Sequence, residues 1–198
     1  MKFTFLAAVA GSFLSFLLLT NAQQKRADQK AQPYDDSEGY AVLSFVLEGA
    51  GKSWESKVIR VKALTDSEKE MTEQLDECVT IPKEFQAAAG DFRNKAKTRF
   101  LLQEKFSSRL RLALVGRPHV DTSDAARPPR TEKEMRDRLT GGTYDVSAVG
   151  FDETKTRAIV YVNYVCGGLC GGGGFHLLEK GRNGWREADG IAKCTWMY

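Results

Sequence analysis

Two cysteines four positions apart, Cys166 and Cys170, stand among six glycines in the run Val165-Cys166-Gly167-Gly168-Leu169-Cys170-Gly171-Gly172-Gly173-Gly174-Phe175. Thiols and bare backbone N–H groups in one segment open four chemistries. A phosphate loop needs Lys-Ser/Thr and a following helix whose N-terminus faces the anion, but here a strand-like segment follows. A redox pair has two residues between its cysteines and a helix N-terminus to lower a thiolate pKa, and this run has neither. Haem attachment needs a C-x-x-C-H sequence. A structural zinc site needs two more ligands at paired short spacing, and Cys194 and His176 are the candidates in type only. No metal or other cofactor is therefore expected. Two roles remain. One is structural, a glycine-rich crossover between strands tied by cysteine. The other is a loop, 166–171, whose open N–H groups meet a ligand or a partner strand, since glycine permits close approach.

The other reactive side chains form no local set. His119 lies in a proline-rich stretch with Asp121 two residues on, and His176 lies in a strand-like segment. A hydrolase assembled only in the fold would draw on His119, Asp121 and Glu179, or on His176. No serine sits in a G-x-S-x-G elbow. Cys78 has no base beside it, and Asp76 and Glu77 read as a solvated acidic helix end.

Compartment follows from the first residues. Met1-Lys2, an apolar run over 3–19 and the small residues Thr20-Asn21-Ala22 have the layout of a secretory signal peptide cleaved after Ala22. The alternative is an uncleaved anchor, for which the run is at the short limit. No later segment is apolar enough for a membrane span. Cleavage removes Lys2 and no acid, so the net charge of +3 falls to +2. So balanced a chain excludes a nucleic-acid or strongly anionic partner. An exported chain with four cysteines, Cys78, Cys166, Cys170 and Cys194, points to disulfides. Either Cys166 and Cys170 close a small ring, or one is stapled to Cys194 and the other to Cys78.

These residues need elements to position them. Polar residues 23–36 read as a flexible lead-in, and 37–198 as one α+β domain. Ser37 opens a helix through Leu47 closed by Gly49, or the same stretch is a strand. Alternation of Ile59, Val61 and Ala63 with Arg60 and Lys62 predicts a strand over 57–64. Thr65-Asp66-Ser67-Glu68 predicts a helix start, fading near Leu75. Pro82 opens another helix with Phe85, Ala89, Phe92 and Ala96 on one face. Strands are expected over 98–103 and 108–115, a long loop over 116–130, and a short helix over 135–139. The last third reads as an antiparallel β-meander: strands over 144–151, 157–165, 173–180, 185–188 and 193–198, with turns at 152–155 and 181–184. Asn183-Gly184 suits a tight hairpin whose two central residues have positive φ. Trp185, Trp196 and Tyr198 are expected in the sheet core.

Several of these segments resemble a group of uncharacterised exported bacterial proteins. The likeness lies in Val149-Gly150-Phe151-Asp152, Ala158-Ile159-Val160-Tyr161-Val162, Cys166-Gly167-Gly168-Leu169-Cys170-Gly171, Leu177-Leu178-Glu179-Lys180, Gly184-Trp185 and Trp196, with Asp91-Phe92-Arg93-Asn94-Lys95 earlier. The resemblance implies an extracytoplasmic α+β domain and carries no activity or catalytic residue with it. The reading is a secreted or periplasmic domain that binds a protein or small-molecule partner through the 166–171 loop, with the hydrolase as its alternative.

Overall fold

A computed structural model of the chain describes residues 31–53, 58–67, 69–106, 111–116, 142–165, 171–190 and 194–197. In chain order the elements are β1 (Gln32–Pro33), α1 (Ser37–Ser53), β2 (Val58–Lys62), α2 (Lys69–Cys78), a 3-10 turn (Lys83–Phe85) running into α3 (Gln86–Lys95), β3 (Phe100–Leu101), β4 (Arg111–Val115), β5 (Thr143–Val146), β6 (Gly150–Phe151), β7 (Arg157–Val165), β8 (Gly171–Gly181), β9 (Gly184–Glu187) and β10 (Thr195–Met197). The signal segment, the 116–130 loop beyond Gly116, the 135–139 helix and Tyr198 lie outside the described residues.

The α+β class holds, but the sheet is mixed rather than a simple meander. Its strands run β10-β8-β7-β5-β2-β4, with β6 beside β7 and β9 beside β8. β2 is parallel to both β4 and β5, while β5, β7, β8, β9 and β10 pair antiparallel. β7 is apolar at every position from 158 to 162 because it is covered on both faces. Ala158, Val160 and Val162 pack with Tyr40, Leu43 and Leu47 of α1, while Ile159 and Tyr161 pack with Leu75 of α2 and Phe85, Ala89 and Phe92. Each such fully buried Leu or Phe contributes about 1.5–3 kcal/mol.

Local signals succeed where burial follows period. Phe85, Ala89 and Phe92 are fully buried and Ala96 nearly so. They fail where distant pairing intervenes. The helix expected after 65–68 is present as α2, from Lys69 to Cys78, but Thr65 and Asp66 do not cap it: Thr65 Oγ1 accepts the Phe100 N–H at 2.9 Å and Asp66 bridges Ser147. α1 runs past Gly49 because Ala50 still packs on the core, and its first turn is capped by Asp36, not Ser37, with Asp36 Oδ1 accepting the Gly39 N–H at 3.2 Å. The lead-in ends early: Gln32–Pro33 pairs with β3 and Tyr34 is buried. In the β8–β9 hairpin the positive φ, 104°, falls on Gly184, while Arg182 and Asn183 keep negative φ. The two central residues are therefore not left-handed, and the positive angle falls instead on the glycine that follows them, paired with Gly181.

Candidate functional site

The strand expected over 144–151 is broken between β5 and β6, and the break builds the site. Four backbone groups there are bonded by side chains. Tyr161 N–H donates to Ser147 Oγ at 2.9 Å. Val149 N–H donates to Tyr34 Oη at 3.2 Å, whose burial pushes the phenol above its ordinary pKa. Lys95 Nζ donates to the Val149 carbonyl at 2.9 Å. Phe151 N–H donates to Asp91 Oδ2 at 2.8 Å. Asp91 and Lys95, four apart on α3 and ion-paired at 2.8 Å, therefore both reach the break. Phe92 between them lies against Gly150, where a Cβ would collide with the Phe92 backbone. The two stretches 91–95 and 149–152, far apart in sequence, meet here.

Above the break is a concavity of about 520 Å³ between the start of α1, one side of α3 and the β6–β7 turn. Asp36, Gly90, Asn94, Lys95, Phe151 and Lys155 line it, with Asp91, Asp152 and Glu153. The turn is shaped by Asp152. Its carboxylate accepts the Thr156 and Arg157 N–H groups at 2.7 and 2.8 Å and the Thr154 and Thr156 hydroxyls at 2.8 and 2.9 Å. Burial raises its pKa, but those bonds outweigh burial and hold the carboxyl below its usual range. Lys155 follows at a left-handed φ of 52° and donates to Asp36 Oδ1 at 3.0 Å. Burial pushes Asp36 up, while the Lys155 bond, the Gly39 N–H and the nearby ammoniums pull it further down, for a net lowering. The Phe151 ring is buried under two ammoniums, Lys95 at 5.3 Å and Lys155 at 5.2 Å from its centroid.

The cysteine–glycine run proves to be two things. Residues 166–170 lie outside the described residues, and Gly171 is the first residue of β8. Val165 stands opposite Gly171 in an antiparallel pair, so the segment joins neighbouring strands and is not a crossover. Gly172, Gly173 and Gly174 lie in β8 between β7 and β10. A Cβ on Gly172 would meet the Trp196 carbonyl and one on Gly174 the Cys194 carbonyl, both at 2.5 Å. One on Gly173 would crowd Asn163 Oδ1 at 2.9 Å and the Trp196 ring at 3.1 Å. Glycine here is a packing requirement. Trp196 then stacks on Tyr161 with centroids 5.5 Å apart. Cys78 and Cys194 are joined across 116 residues with Cα atoms 5.6 Å apart. That pairing overturns the alternative in which each of them holds one cysteine of the loop, since both are already taken. A cysteine pair at disulfide distance is consistent with an exported chain. Among the described residues no helix is long and apolar enough to cross a membrane.

His119 and Asp121 lie outside the described residues. His176 is not isolated: its Nδ1 lies 2.7 Å from Glu187 Oε1 on β9, a partner that no sequence-local spacing reveals. Glu179 is three residues from His176 on β8, so it faces the other side of the sheet, where it pairs with Arg186 at 2.8 Å. Among the described residues no three His, Cys, Asp or Glu side chains are grouped to hold a metal ion. The residues that the sequence reading missed are Asp36, Asp91, Lys95 and Lys155. The available signal was a glycine interrupting the alternation at Val149-Gly150-Phe151 and a carboxylate–ammonium pair flanking Phe92. No protein-family model matches this chain, and no curated protein or solved structure matches it either.

Proposed function

We propose that the chain is a secreted or periplasmic binding domain, and that the cleft between α1, α3 and the β6–β7 turn receives a small polar ligand or a segment of a partner protein. The observation that supports this is the concavity itself, walled by side chains of both charges brought from three distant segments. Gly90 on this wall is a mid-helix glycine, which costs stability, and no neighbour within 4 Å requires one there. The test is amide chemical-shift mapping on the exported protein against a library of polar metabolites and short peptides. Binders should shift Gly90, Asn94 and Glu153. Shifts gathered elsewhere, or none, would sink the reading.

The hydrolase alternative has one observation on its side, the carboxylate Glu187 orienting the ring of His176 at 2.7 Å. Turnover of an ester or amide panel that His176→Ala abolishes, with folding intact, would establish it instead.

A further inference from the structure

We propose that the group recognised in this cleft is an alkylammonium, and that Lys155 occupies its position in the free protein. The inference rests on the cleft being the binding site. Charge points the same way: Asp36, Asp91, Asp152 and Glu153 face the cleft against only Lys95 and Lys155, an excess that favours a cation.

Most of these charges are committed to the fold. Asp91 and Lys95 hold the strand break, and Asp152 is saturated by its own turn. Lys155 is different. Its ammonium has Asp36 Oδ1 at 3.0 Å and the Phe151 ring face at 5.2 Å, while the side chain is 50% exposed. A carboxylate beside an aromatic face is what a primary ammonium seeks, and an ion pair this exposed contributes little to stability. An incoming ammonium on a flexible alkyl chain takes the same two partners as Lys155 swings into solvent. The source is either a free diamine or a lysine side chain presented by a peptide.

The experiment is calorimetric titration of wild type, Lys155→Met, and Lys155→Met with Asp36→Asn. The probes are 1,5-diaminopentane, Nα-acetyl-lysine methylamide and its Nε-acetylated form. Asn retains the helix cap, so the Asp36 variant tests charge rather than folding. If Lys155 fills the position about nine-tenths of the time, its removal tightens binding roughly tenfold. Asp36→Asn should reverse that gain, and the Nε-acetylated probe should not bind. A preference between the two amines tells a diamine from a lysine side chain. Unchanged affinity in Lys155→Met, or indifference to Asp36→Asn, overturns the proposal. Library ligands that map to the cleft without competing with the amines would overturn it and leave the cleft reading standing. If nothing maps there, both fall.

Discussion

Gly172 and Gly174 of β8 and Gly150 of β6 are places where two backbones approach more closely than a side chain allows. They are closed in different ways. At the β8 run the approach is completed by ladder hydrogen bonds to β7 and β10 and by the Cys78–Cys194 link just before β10. Backbone meets backbone, and no charged side chain is drawn in. Just before Gly150, over 147–149, the strand is interrupted, and the backbone groups around the gap are bonded by Asp91, Lys95, Tyr34 and Ser147. Satisfying a break with side chains brings charge to one spot, and that spot has a cleft above it. Unusual composition thus marks close packing, while ordinary residues gathered from afar make the candidate site.

The largest effect that should sharpen this contrast is covalent. Replacing Cys78 and Cys194 together with alanine should cost about 2–5 kcal/mol, read as a lower urea midpoint with a steeper slope, because the unfolded chain is no longer cross-linked. Hydrogen exchange at Trp196 should quicken more than at Phe151. An unchanged midpoint would mean that β10 is held by its ladder alone. Next comes the break itself. Asp91→Ala leaves the buried Phe151 N–H without its acceptor and should cost about 1–3 kcal/mol. Its opening should appear as faster exchange at Val149 and Phe151 with β10 unaffected. If β10 loosens equally, the two regions are not separate devices.

The same contrast explains what could be read from the sequence. The 157–165 strand matched its observed bounds, and the Phe85–Ala96 face was right, because period 2 and period 3.6 are local properties that burial enforces. The antiparallel pairs β7–β8 and β8–β9 were legible too, since short turns dictate neighbours, but β10 was not, for it pairs with β8 and not with the preceding β9. The parallel pairing of β2 with β4 and β5 was not, because nothing within either segment specifies a partner so far along the chain. Thr65 shows the same limit: a good cap residue was captured by the Phe100 N–H. The site was the least legible part, since Asp91 and Phe151 lie 60 residues apart and neither is unusual where it stands.

The smallest prediction compares two carboxylates, one from each kind of environment. Asp36 borders the cleft, where a backbone N–H and two ammoniums hold its pKa down in spite of burial. Asp145 sits in the regular ladder of β5, buried, with Lys62 as its ion-pair partner at 2.7 Å. There burial outweighs the lysine, and the pKa is raised. The lysine side chain is 57% exposed, so solvent weakens its hold. The two residues should therefore respond oppositely to pH. The lowered pKa of Asp36 means a stabilisation present above its ordinary value near 3.8 and lost as pH falls through the folded value. The raised pKa of Asp145 means a stabilisation of the protonated form, complete below that ordinary value and lost as pH rises through the folded one. At pH 7, Asp36→Asn should destabilise and Asp145→Asn should stabilise, each by about 0.3–1 kcal/mol. Both differences from wild type should shrink toward pH 3, followed as thermal midpoints across the range. If the two variants shift in the same direction at pH 7, the cleft holds its carboxylate no better than the plain ladder does.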